Sequence, residues 1–261
     1  MGLRRLAKRI AADHQLRMET RLKGLKIEGE RVVAGMATMP SRKATFTTSF
    51  RSIIRQVDRL YLYLDGHEKV PAIARNDARV VPIFAHEYPG LHANGKLLGL
   101  ALEKEPCLYA CLDDDIYFPR NYIFELGRAL ARLGDDKIVG LHGTVLARPL
   151  EGYYTNRTSV GQYAREWKED TKVDLLGSGA VLFRSAAINV DVRDWPKVSM
   201  TDIGLAIAAA QANIQMISIS RDTNLVLNLA SQQADSLFVA RKKDDSLQTK
   251  LGRELIEILD G

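Results

Sequence analysis

Apolar positions along the chain switch repeatedly between two rhythms. RVVAGMAT (31–38) is a continuous apolar run closed by Pro40, as in a buried strand. Phe46, Phe50, Ile53, Ile54 and Val57 then recur at helical spacing. RLYLYL (59–64) is a second strand ending at Asp65-Gly66, and VVPIF (80–84) is a third. Leu97, Leu98, Ala101 and Leu102 predict a short helix opened by Asn94-Gly95. CLYACL (107–112) is an apolar strand that runs straight into Asp113-Asp114-Asp115. Tyr122, Ile123, Leu126, Leu130 and Leu133 mark the next helix, and KIVGLHGTVL (137–146) another strand. This strand–helix alternation predicts an α/β domain with a mostly parallel central sheet covered by helices.

The second half is less regular. KVDLL (172–176) and AVLFR (180–184) flank Gly177-Ser178-Gly179 as strands, read as a hairpin. Asp202 stands at the N-cap of an alanine-rich helix, IGLAIAAAQAN, and QMISIS (215–220) is a strand. Leu247, Leu251, Leu255 and Leu259 build a C-terminal helix. Residues 147–171 and 221–245 are polar and irregular, the character of binding loops. No repeat is visible. The expected organisation is a basic extension over 1–30 and one domain over 31–261, its nucleotide-binding half 31–135 and its acceptor-side half 136–261.

Composition narrows the class. In 261 residues, 46% are hydrophobic and 26% charged, which excludes global disorder. No apolar run approaches bilayer-spanning length, and no apolar h-region follows the basic N-terminus, so neither a membrane span nor a secretory leader is expected. Cys107 and Cys111 are too few for a disulfide framework, which makes a reducing, cytoplasmic setting the expectation. The net charge of +5 is uneven. Residues 1–26 carry +6, with Leu3, Leu6 and Ile10 at helical spacing, so a basic amphipathic helix is expected there. It would either lie on an anionic membrane surface or pack on its own domain. The rest of the chain is not basic, so nucleic acid is not an expected partner.

The most informative segment is LYACLDDDIYFP. In open α/β sheets, ligands bind beyond the carboxyl ends of the strands, where the three aspartates fall. Asp113 and Asp115 are two apart, so an extended backbone would point both carboxylates the same way. Such a pair suits a hard divalent cation, Mn²⁺ or Mg²⁺, whose other ligands are waters and phosphate oxygens. The competing account is an Asp-rich turn capping the next helix.

In this order, the motifs resemble those of nucleotide-sugar-dependent glycosyltransferases with the GT-A fold, a Rossmann-like domain, and are most similar to the bacterial family-2-like group. The resemblance covers about residues 31–220. It implies a metal-dependent enzyme that moves a sugar from a nucleotide-diphosphate donor to a glycan or lipid-linked hydroxyl. The first-strand loop, Ala37-Thr38-Met39-Pro40-Ser41-Arg42, resembles a nucleotide-binding loop, which gives Thr38, Pro40 and Arg42 that role. Asp65 matches the acidic residue that contacts the base, a contact favouring uracil-like edges. Asn94-Gly95-Lys96 resembles the segment whose basic residue meets the diphosphate. Asp113-Asp114-Asp115 matches the Asp-x-Asp motif, with Asp113 and Asp115 on metal and Asp113 and Asp114 toward the donor. Gly177-Ser178-Gly179 resembles the acceptor-side loop. Asp202 matches the general base of inverting members, although Thr201 replaces the second acidic residue expected beside it, and the first loop lacks the more usual Tyr-Asn before Arg42.

Each position also has an ordinary structural use. Asp65 could serve the Asp65-Gly66 turn alone, Lys96 could be a solvated helix-start lysine, and Asp202 a simple cap. His142, at a strand end, could line the acceptor site or be a satisfied polar histidine. Tyr153, Tyr154 and Trp167 could stack on sugars or pack their loop down. Three other classes compete. A nucleotidyltransferase would share the sheet and aspartates, but MATMPSRKATF lacks its glycine-rich loop. A phosphohydrolase would need further ligands, for which His86, His92 and His142 are the candidates. A non-catalytic, membrane-docking protein would need neither. Expected partners are thus a nucleotide-sugar donor, a glycan or lipid-linked acceptor, and an anionic membrane surface reached through residues 1–30, at the inner face of the plasma membrane.

Overall fold

The computed structural model describes residues 27, 29–163, 165–195, 200–221, 225–229 and 244–261. The expected basic N-terminal helix lies outside the described residues. In chain order come β1 (Val32–Thr38), a 3₁₀ turn (Pro40–Arg42), α1 (Lys43–Ile53), β2 (Arg59–Leu64) and β3 (Val80–Phe84). A 3₁₀ segment (His92–Leu97) leads into α2 (Leu98–Leu102), β4 (Leu108–Asp113), β5 (Ile116–Tyr117) and α3 (Tyr122–Leu133). Short strands follow: β6 (Lys137–Gly140), β7 (Gly143–Leu146), β8 (Arg157–Val160), β9 (Thr171–Val173), β10 (Leu175–Leu176) and β11 (Ala180–Arg184). Then come α4 (Thr201–Gln211), β12 (Gln215–Ser218), β13 (Leu227–Asn228) and α5 (Ser246–Asp260).

The main sheet has eight strands in the order β3-β2-β1-β4-β11-β6-β12-β9. Strands β3, β2, β1 and β4 are mutually parallel, and β12 runs parallel to β6. The insertion of β11 antiparallel between β4 and β6 makes the sheet mixed. Both faces are covered, which is why its strands read as unbroken apolar runs. Val32, Ala34, Met36, Leu60, Leu62, Ala110 and Leu112 pack against Phe46, Phe50 and Ile53 of α1 and Ile123, Leu126 and Leu130 of α3. The alternate residues, including Val33, Tyr61, Tyr63, Tyr109 and Cys111, pack with Leu97 and Leu98, with Ile203, Leu205 and Ala209 of α4, and with Leu255 of α5. Both cysteines are free and buried there, as small apolar side chains.

Three local expectations need correction. Residues 137–146 do not form one strand. Gly140 and Gly143 bracket a break at Leu141-His142, and β7 leaves the main sheet to pair with β10 and β8. Residues 172–184 are not a hairpin. β9 joins β12, β10 is taken by β7, and β11 enters the main sheet beside β4. The aspartate run is not extended either, because Asp113 ends β4 while Asp114 and Asp115 turn the chain into β5.

Candidate functional site

Strand direction gathers the site. The carboxyl ends of β1, β2, β4, β6 and β12 lie along one edge of the sheet, and the antiparallel β11 brings its amino end to the same edge. Thr38, Asp65, Asp113, His142, Arg221 and the Gly177–Gly179 loop are therefore ranged along this one edge from segments far apart in sequence.

At this edge each aspartate has its own partner. Asp113 Oδ1 accepts from Lys96 Nζ at 2.6 Å. Asp114 Oδ2 accepts from Thr38 Oγ1 at 2.6 Å, and Asp115 Oδ2 from Arg42 Nη1 at 3.2 Å. The Lys96 side chain is only 5% exposed, whereas that of Asp113 is 41% exposed, so the carboxylate forms the open face of the pair. A solvated Lys96 is thereby ruled out. Burial alone would lower the ammonium's pKa, but the Asp113 charge overcomes it and holds Lys96 above its ordinary value. Burial pushes Asp114 up to about 7 against the Thr38 hydrogen bond. Asp115 is pushed up to about 6, first by burial and then by the Asp113 charge, with Arg42 opposing. Burial is thus the main influence on Asp114 and Asp115, and the two nearby cations offset it only in part.

Lys96 reaches this position because the 3₁₀ segment lies flush on the sheet. A Cβ on Gly35 would stand 1.8 Å from the Lys96 carbonyl oxygen and 2.2 Å from the Tyr109 hydroxyl, so only glycine permits the approach. Tyr109 donates its hydroxyl to that same carbonyl at 2.8 Å. Across the strand gap, the Gly179 carbonyl accepts the Asp113 N–H at 3.0 Å, and a Cβ on Gly179 would strike the Asp113 carboxylate. Ser49, buried on the apolar face of α1, donates to the Asp113 carbonyl at 3.1 Å. A polar residue three positions after Phe46 on that face was the signal that could have revealed it.

Asp65 and Gly66 form the expected turn, with Gly66 at φ 71° beside Pro40. The carboxylate does more than cap it: His92 Nδ1 lies 3.0 Å from Asp65 Oδ2, and His92 holds φ 47°, a left-handed conformation uncommon outside glycine. Pro40 and Arg42 occupy the turn directly after β1.

At the other end of this edge, the expectation for Asp202 needs adjusting. Helix α4 starts at Thr201, so Asp202 is in its first turn and is not the N-cap. Its Oδ1 accepts both the Ser178 N–H, at 2.8 Å, and the Ser178 hydroxyl. Thr201 donates to Asn94 Oδ1 at 2.8 Å, a buried bond that ties α4 to the segment carrying Lys96. Sequence reasoning noted Thr201 only as a departure. His142 sits in the break after β6 and accepts the Gly177 N–H on its carbonyl at 2.8 Å. Its ring packs on Tyr163, centroids 5.4 Å apart, and its Nδ1 is buried without a hydrogen-bond partner among the described residues. Burial lowers its pKa, and Asp202 only partly counters this. Trp167 packs its loop: its indole N–H donates to Thr171 at 3.0 Å and its backbone bridges Arg221.

Of the other candidate ligands, His86 stacks on Phe84 and His92 bonds Asp65. Among the described residues, no group of three or more His, Cys, Asp or Glu side chains is arranged to hold a metal. Asp113 and Asp115 would supply two ligands, which fits a hard cation completed by water and phosphate oxygens. No helix among the described residues is long and apolar enough to cross a membrane. No protein-family model matches the chain, and no curated protein is significantly similar to it.

Proposed function

We propose that the chain is a GT-A-like glycosyltransferase that moves a sugar from a nucleotide-diphosphate donor, a UDP-sugar in the favoured case, to a glycan or lipid-linked hydroxyl. The observation that carries this reading is the meeting of two oppositely suited groups at one sheet edge. One is the Asp113–Asp115 cluster with Lys96 and Arg42, and the other is Asp202, anchored through Ser178.

Thr38, Pro40, Arg42 and Asp65 would line the nucleotide, with the Asp65 carboxylate accepting a base N–H. Asp113 and Asp115 would hold Mn²⁺ or Mg²⁺, which supplies charge neutralisation at the departing diphosphate. Lys96 and Arg42, drawn off their carboxylates, would add fixed positive charge to the same oxygens. Asp202 would take the proton of the acceptor hydroxyl as its oxygen bonds to the anomeric carbon and the bond to diphosphate breaks. Oδ1 is engaged by Ser178, which leaves Oδ2 to act as the base. Attack from the side opposite the leaving group makes inversion the expected outcome.

Calorimetric titration of UDP, GDP and CMP, with and without Mn²⁺, tests this directly. Metal-dependent binding of UDP is expected in the wild type and should be lost in Asp115→Ala. Asp202→Asn should keep that binding while losing turnover by roughly a hundredfold or more. Absence of nucleotide binding with either metal state would overturn the reading.

A further inference from the structure

In the small sheet β10-β7-β8, whose β10 runs into the Ser178 loop that holds Asp202, lies an arginine that neither the donor cluster nor the proton transfer uses. Arg157 opens β8, paired with Leu146 of β7. Its guanidinium carbon stands 4.8 Å from the Tyr153 ring centroid and 4.7 Å from that of Tyr154. The two rings meet edge to face at 5.1 Å, so the guanidinium is oriented by two aromatic walls. Among the described residues, no carboxylate forms an ion pair with it. The acidic group adjoining Tyr154, Asp245, instead accepts the Tyr154 N–H at 3.0 Å.

A second arginine strengthens the field. Arg221, buried at the end of the sheet, donates to the carbonyls of Ile219, Gly161 and Gln162 and likewise forms no ion pair among the described residues. Both guanidiniums act on His142 to disfavour its charged form, and Asp202 is the acidic group that opposes them there. Arg221 has both terminal nitrogens turned onto backbone carbonyls and contributes charge without contact. Arg157 is only partly buried, and its planar fork matches a carboxylate or phosphate.

We propose that Arg157 determines acceptor specificity, receiving an oxyanion carried by the acceptor, a sugar carboxylate or a phosphate, while the acceptor hydroxyl faces Asp202. This rests on the glycosyltransferase reading and gives its acceptor a chemical class. The aromatic walls hold the fork in place before the acceptor arrives, which reduces the ordering cost of binding. A neutral sugar at this position would leave a partly desolvated guanidinium without an anion.

The test uses the full chain without any donor. Methyl glucuronide, glucose 6-phosphate and methyl glucoside are titrated into wild type, Arg157→Gln, Arg157→Lys and Arg128→Gln. At least one anionic probe should bind wild type roughly tenfold or more tightly than methyl glucoside. Glucuronide preference would identify an acidic sugar, and phosphate preference a phosphate-bearing acceptor. Arg157→Gln should erase the preference, Arg157→Lys should keep part of it, and Arg128→Gln, at an exposed arginine of α3 outside the site, should leave it unchanged. Should Arg157→Gln fail to fold, phenylglyoxal labelling of wild type replaces it: the preferred anion should protect the peptide containing Arg157. Equal binding of neutral and anionic probes, a preference that survives Arg157→Gln or is lost in Arg128→Gln, or absence of protection would each overturn the proposal. Because no nucleotide is present, failure here is distinct from failure to bind UDP.

Discussion

His142 shows how one side chain's surroundings set a measurable behaviour. Burial holds its pKa below the ordinary value near 6.5, since the charged ring would lose water without gaining a close carboxylate. The unfolded chain therefore binds a proton that the folded chain resists. That contribution to stability is complete above about pH 6.5 and is lost as the pH falls below it. Urea denaturation of wild type and His142→Asn from about pH 7.5 to about pH 5 should show it. The wild type should lose stability relative to the variant on acidification, and parallel profiles would refute the assignment. Residue types at this edge were readable from sequence, because a charged or polar residue directly after an apolar strand falls at the carboxyl edge of a parallel sheet. Their pairings were not. Lys96 with Asp113, Arg42 with Asp115 and Thr38 with Asp114 span 17, 73 and 76 positions, and no local pattern encodes such distances.

Helix α4 and the 3₁₀ segment before α2 act as one support. Their link, Thr201 to Asn94, joins the element that carries Asp202 to the element that carries Lys96. Thr201→Val keeps the shape and removes the hydroxyl, so it should destabilise the fold by about 1–2 kcal/mol. It should also weaken UDP binding in the presence of Mn²⁺, because Lys96 loses part of its support. Denaturation and calorimetry on the same variant would separate the two effects, and unchanged values in both would remove the link from the account. Apart from the two-residue β5, the strands and α-helices up to α3 followed from apolar runs and helical spacing, since packing on both sheet faces leaves a strong mark on composition. Most of the misplaced strands fall between residues 137 and 184. There, strands of two to five residues divide between two sheets, and their partners are set by contacts that alternation in one segment does not reveal.

At the scale of the molecule, charge and architecture point the same way. The chain carries +5 overall, but residues 1–26 hold +6 and the rest is close to neutral, slightly negative. The proposed site at the sheet edge, with its cations toward phosphate and Asp202 as base, would need only local charge. For the separate basic block we propose contact with an anionic membrane surface, its simplest physical use. Each Lys or Arg near such a surface contributes about 1 kcal/mol, so eight of them would give reversible binding that salt weakens. Flotation of the full chain with phosphatidylserine-containing vesicles should therefore succeed at low ionic strength and fail at high salt. A chain lacking residues 1–30 should stay at the bottom of the gradient in both, while retaining its UDP titration. Equal flotation of the two chains would assign membrane contact to the folded domain instead, and the lipid-linked form of the acceptor would then need a docking face among residues 31–261.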